Sequence, residues 1–123
     1  MDRRFFSIGA LAGFLAVAAG AFGGHLLKDR LPPDRFDIFL VATRYHMYHA
    51  LALLATSWAL ARYPSPWSTR AAWCFTIGLP LFCGSLYLLS LTGHSWLGTI
   101  TPLGGLAFLC GWLCLARAAW RPD

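Results

Sequence analysis

The 123-residue chain contains no glutamate, and only 12% of its residues are charged. Soluble domains carry about 25%. With 58% hydrophobic residues, a chain this short has too little interior to hide its apolar surface. Lipid is its natural solvent, and a soluble globular fold is excluded. A basic patch is missing too. The net charge of +5 comes from residues scattered at segment ends, which argues against nucleic-acid binding. No carboxylate lies inside an apolar run, no Cys-x-x-Cys occurs, and nothing resembles a nucleophile with its base or a phosphate-cradling loop. These gaps argue against an enzyme. The two halves show no convincing repeat, so an inverted-repeat transporter gains no support.

What is present is apolar and continuous. Four runs cover 5–24, 45–61, 71–91 and 97–116. Each is about 17–21 residues, enough to cross roughly 30 Å of hydrocarbon at 1.5 Å per residue. None alternates strictly, so helices are expected rather than barrel strands. The fold class that follows is an all-α membrane protein: a four-transmembrane-helix bundle forming a single membrane domain over 1–123. An amphipathic segment at 33–43 should precede helix two or run into it. Pro32-Pro33-Asp34 reads as its start, with proline in the first turn and a carboxylate near the positive end of the helix dipole. Whether Arg44 is interfacial or deeper depends on that junction.

The first run has two readings. Met1-Asp2-Arg3-Arg4, the apolar core after it and Ala16-Val17-Ala18 resemble a secretory signal peptide. Against this, Gly9, Gly13, Ala16, Gly20 and Gly24 form one small-residue stripe suited to close helix packing. Pro80 in run three and Pro102 in run four are expected to kink their helices. With four spans, Arg3, Arg4, Arg62, Arg70, Arg117 and Arg121 share one side and Lys28, Arg30, Arg35 and Arg44 the other. That six-to-four bias places both termini in the cytoplasm of a multi-pass inner (plasma) membrane protein. Trp58, Trp67, Trp73, Trp112 and Trp120 would belt the cytoplasmic interface, and Trp96 the outer one.

The candidate site lies at the outer end. There the topology gathers His25, Lys28, Arg44, Tyr45, Tyr48 and His49, with His46 and His94 nearby. Polar groups in lipid need partners. Three uses suit this set: plain interfacial anchoring, a small ligand such as a lipid headgroup or quinone, and haem or metal ligation by histidines. Cys74, Cys83, Cys110 and Cys114 read as small buried apolar residues, with Cys74 and Cys114 at similar depth.

Four motifs now carry a resemblance. Gly20-Ala21-Phe22-Gly23-Gly24-His25-Leu26-Leu27-Lys28 resembles Gly-Ala-Phe-Gly-Ala-His-x-Leu-Lys, and Arg44-Tyr45-His46-Met47-Tyr48-His49-Ala50-Leu51-Ala52-Leu53 resembles Arg-Tyr-Gln-Met-Tyr-His-Ala-Leu-Ala-Leu. Gly84-Ser85-Leu86-Tyr87 with Leu91-Thr92-Gly93, and Ile100-Thr101-Pro102-Leu103-Gly104-Gly105, match further signatures in order. The family is the bacterial domain-of-unknown-function 423 proteins, which have small eukaryotic transmembrane relatives. The resemblance implies four spans in the inner membrane and no established activity. It departs at His46, where the family has glutamine, a poor metal ligand. It also implies that run one belongs to the mature domain.

The expectation is therefore a non-enzymatic accessory, assembly or structural membrane protein without cofactor or metal. Its partners would be the lipid bilayer and other membrane proteins or further copies of itself, with no nucleic acid. The alternatives are binding or transport of a small ligand at the outer cluster, and histidine ligation of haem or metal.

Overall fold

The structure, a computed structural model, describes residues 3–120. Met1, Asp2 and Arg121, which entered the leader-like and charge arguments, lie outside the described residues. Four helices long and apolar enough to cross a membrane make up the described chain: α1 Arg3–Leu27, α2 Pro33–Arg62, α3 Pro66–Thr92 and α4 Ser95–Ala119. They run up and down. Consecutive helices pack together, with α1 along α2 and α4 along α3, so α1 and α4 flank a central α2–α3 pair.

The small-residue stripe of α1 meets α2. A Cβ at Gly9 would lie 3.1 Å from Leu54, at Gly13 4.0 Å from Ala50 and at Gly20 3.9 Å from Thr43. Ala16, inside the leader-like pattern, is buried in the same seam. The stripe ends differently from the spacing expected. Gly24 faces open space, and Gly23 takes the contact, where a Cβ would come within 2.6 Å of the Phe39 ring. A π-helical turn over Ala19–Gly23 precedes this point.

Helix α2 settles the junction left open above. It begins at Pro33, with Asp34 in its first turn, and runs unbroken for 30 residues. The amphipathic segment is therefore its outer end. At 1.5 Å per residue the helix is about 45 Å long, and Arg44 stands about 27 Å from Arg62. Arg44 is exposed on the flank of this helix.

Helix α3 starts with a capping box. The Ser68 amide donates to Ser65 Oγ at 3.3 Å, and the Ser65 amide donates to Ser68 Oγ at 3.1 Å. Pro80, which has no N–H to give, falls in a π-helical turn over Leu79–Gly84, a standard way to absorb such a gap. Gly93 ends the helix at φ 76°, its N–H bonded to the Leu89 carbonyl. This is a left-handed cap that favours glycine. Helix α4 opens with a 3₁₀ turn over Ser95–Thr99. Pro102 then sits in the first α-helical turn, so it starts that segment instead of kinking it. Backbones of α3 and α4 come closest at Gly104, where a Cβ would run into the backbone N and Cα of Phe82. Ser85 and Thr101 hydroxyls bond across the same crossing at 2.6 Å.

Candidate functional site

His49 is the one buried ionisable side chain of α2. It lies sixteen residues from Pro33 and thirteen from Arg62, about 24 and 20 Å from the two helix ends. It is only 5% exposed. Its partners fix its state. Nδ1 lies 2.8 Å from the Tyr45 carbonyl, which can only accept, so Nδ1 carries the proton. Trp112 of α4 donates its indole N–H to Nε2 at 3.2 Å. His49 is therefore a neutral imidazole with both nitrogens engaged. Phe108 stacks on it with centroids 3.5 Å apart and planes 7° apart.

Around this group α2 and α4 part to leave a groove of about 770 Å³. Tyr45 and Tyr48 form one wall, Leu106, Leu109 and Trp112 the other, with Phe82 of α3 between. Tyr45 packs 4.9 Å from Phe82 and 5.8 Å from Tyr48, centroid to centroid. Of the six residues expected to form the outer cluster, the structure brings Tyr45, Tyr48 and His49 into this groove. Arg44 is exposed one turn above Tyr48, on the same flank of α2. His25 and Lys28 are exposed at the end of α1 and do not line the groove.

The histidines do not share one place. His25 and His94 are exposed, while His46 and His49 face inward. Among the described residues no group of three His, Cys, Asp or Glu side chains is arranged to hold a metal ion. The lone pair a metal would need on His49 is already used by Trp112. The four cysteines are free.

Two side-chain groupings escaped the sequence reading. Trp112 was assigned to the cytoplasmic belt, yet its indole turns inward to His49. Its i, i+4 spacing from Phe108 was the available signal. His46 bonds Tyr87 of α3 through Nδ1 at 2.9 Å. That pair joins two separate motifs and could not be read from either alone. At the inner end, Arg70 and Arg117 both lie over the Trp67 ring, at 4.7 and 5.7 Å. Cation–π contacts thus join the start of α3 to the end of α4.

A family model described as "Protein of unknown function (DUF423)" matches residues 19–105. The chain is 42% identical over 118 residues to the UPF0382 membrane protein YwdK of Bacillus subtilis, covering 95% of this chain and 96% of that one. It is 43% identical over 119 residues to a UPF0382 membrane protein of Staphylococcus epidermidis, covering 97% of each. It is 35% identical over 122 residues to the UPF0382 inner membrane protein YgdD of Escherichia coli, covering 98% of this chain and 93% of that one. No solved structure matches.

Proposed function

We propose, from the premise that this chain belongs to the DUF423 family of integral inner-membrane proteins, that it holds the apolar part of an amphiphile between α2 and α4 and catalyses no reaction. The observation that carries this reading is the groove itself. Its volume falls within the roughly 300–1,000 Å³ usual for small-molecule sites, and its walls are aromatic and aliphatic. His49, the polar group at its floor, has no free nitrogen with which to attack or polarise a bound molecule. Such a wall selects for apolar bulk. Arg44 above it adds a cation at headgroup level, suited to an anionic lipid. The six-to-four distribution of basic residues supports cytoplasmic termini and an outward-facing groove mouth.

The test is mass spectrometry of protein released gently from native membrane. Gly105 lines the groove, and a Cβ there would make only ordinary contact with Phe82, at 3.8 Å. Gly105→Leu should therefore fill the groove and remove the bound molecule. Arg44→Ala should weaken retention of an anionic amphiphile while leaving a neutral one. An identical ligand complement in wild type and Gly105→Leu would overturn the reading. An accessory role in assembling other membrane proteins is the second reading. It is favoured by the large apolar side chains that α1 and α4 turn outward, among them Phe14, Leu103 and Leu113. A crosslinked membrane protein retained in both variants would move the function to those surfaces.

A further inference from the structure

At the inner end of the bundle two cations share one ring. The guanidinium carbon of Arg70, early in α3, lies 4.7 Å from the Trp67 centroid, and that of Arg117, in the last turn of α4, lies 5.7 Å from the same centroid. Spacing explains the first contact, since positions i and i+3 are neighbours on a helix face. The packing of α4 along α3 explains the second. The ring itself is well held. Ser65 and Ser68 lock the first turn of α3 through their capping box, and the buried Ser68 hydroxyl donates toward the Tyr63 and Ser65 carbonyls. Trp67 is thus a fixed platform carrying two guanidiniums.

Among the described residues no carboxylate answers these charges. The described acids are Asp29, Asp34 and Asp37, all between the end of α1 and the first turns of α2, at the opposite end of the bundle. Two like charges on one ring repel, and the quadrupole of the ring offsets only part of that repulsion. Both arginines are exposed. Arg117 spends one N–H, from Nη1, on the Trp120 carbonyl at 2.8 Å, and a guanidinium has five. Every described basic residue at this end is an arginine: Arg3, Arg4, Arg62, Arg70 and Arg117. Arginine is the residue whose planar fork matches the oxygens of a phosphate. Trp67 and Trp120 are exposed where the spans begin and end, the depth at which tryptophan meets lipid headgroups.

We infer that Arg70 and Arg117, set on Trp67, form a binding site for the phosphate of an anionic phospholipid in the leaflet that the chain termini face. The phosphate accepts from both guanidiniums, and its acyl chains run along α3 and α4 into the hydrocarbon. Charge sign and depth choose this occupant. A basic cluster at headgroup level, between the ends of two spans, suits an anionic lipid. The site is separate from the α2–α4 groove, which takes apolar bulk toward the outer end, whereas this one reads a headgroup at the inner end. It also differs from Arg62, a lone cation 5.1 Å from the ring of its neighbour Tyr63.

The experiment is native mass spectrometry of the protein in detergent micelles, titrated with dioleoyl phosphatidylglycerol or with dioleoyl phosphatidylcholine, which has the same tails and a neutral headgroup. Wild type and Gly105→Leu are run side by side, so that lipid held in the groove is counted apart. In both, one phosphatidylglycerol should bind about tenfold or more tightly than phosphatidylcholine. Arg70→Gln and Arg117→Gln should each weaken phosphatidylglycerol about tenfold, the loss of a charge-assisted hydrogen bond, and leave phosphatidylcholine unchanged. Both side chains are exposed, so these variants should keep the wild-type circular dichroism. Trp67→Leu should weaken phosphatidylglycerol with both charges intact, and Trp67→Phe should recover most of the loss. Arg62→Gln removes the same charge from the same end and should change the affinity by no more than about twofold at about 0.15 M salt. Equal binding of the two lipids by Gly105→Leu would overturn the inference. So would unchanged affinity in Arg70→Gln and Arg117→Gln, or a loss in Arg62→Gln as large as theirs, which would reduce the site to the general field of a basic end.

Discussion

Replacing Trp112 by Phe keeps a ring on α4 and removes the one N–H donated to His49 Nε2. Interhelical hydrogen bonds in membrane proteins are worth about 0.6 kcal/mol on average and about 1.7 at most. This one should lie toward the upper end. His49 is 5% exposed, no second donor reaches Nε2 among the described residues, and Phe108 stacked at 3.5 Å prevents the ring from turning toward one. The single variant also loses indole packing on Phe75, whose centroid lies 5.2 Å away. Its total cost should be about 2–3 kcal/mol, a sum of both losses. A double-mutant cycle with His49→Phe, which preserves the stack on Phe108, separates the two. The coupling should be about 1–1.5 kcal/mol. The assay is reversible unfolding in mixed micelles, titrating with dodecyl sulfate and following far-ultraviolet circular dichroism for the four proteins. A coupling below about 0.3 kcal/mol, the usual additivity error, would refute the account of His49 as a hydrogen-bonded neutral imidazole.

Other expectations follow from helix packing and caps. Gly104→Ala should destabilise by about 1–3 kcal/mol, because overpacking must push α4 off the Phe82 backbone. Gly84→Ala, with open space, should be neutral or stabilising by about 0.5–1 kcal/mol; the same micelle titration compares them. Gly93→Ala should cost about 1–2 kcal/mol for its left-handed backbone and displace Arg35, whose Nη1 lies 2.5 Å from the added Cβ. Its loss of stability should shrink in an Arg35→Ala background.

The four spans were legible because run length alone carries the physics of crossing lipid. The start of α2 was legible as well, since Pro33 and Asp34 each suit a first turn. Side-chain direction was harder. His49 looked interfacial because histidine beside two tyrosines usually reaches for headgroups; its indole donor sits sixty-three positions away on α4. The outer set of six divided because depth does not determine azimuth. His25 and Lys28 share the level of the α2 outer half, but α1 turns Gly23 to its partner and those two away. The π-helical turns were illegible. Pro80 announces a disturbed ladder without saying how the chain absorbs it, and Ala19–Gly23 contains no proline at all.

The uneven length of the helices makes the protein lopsided across the bilayer. At the inner end α2 and α3 are joined by a short linker pinned by Ser68, whose hydroxyl donates toward the Tyr63 and Ser65 carbonyls. At the outer end α2 overshoots a 30 Å core by about 15 Å. That overhang is not a loose spur: Phe39 and Ala42 are buried within it, and Arg35 leans on the Gly93 turn. The chain keeps the outer end of α2 packed against its neighbours. A single unbroken helix thus links that packed end to one wall of the groove.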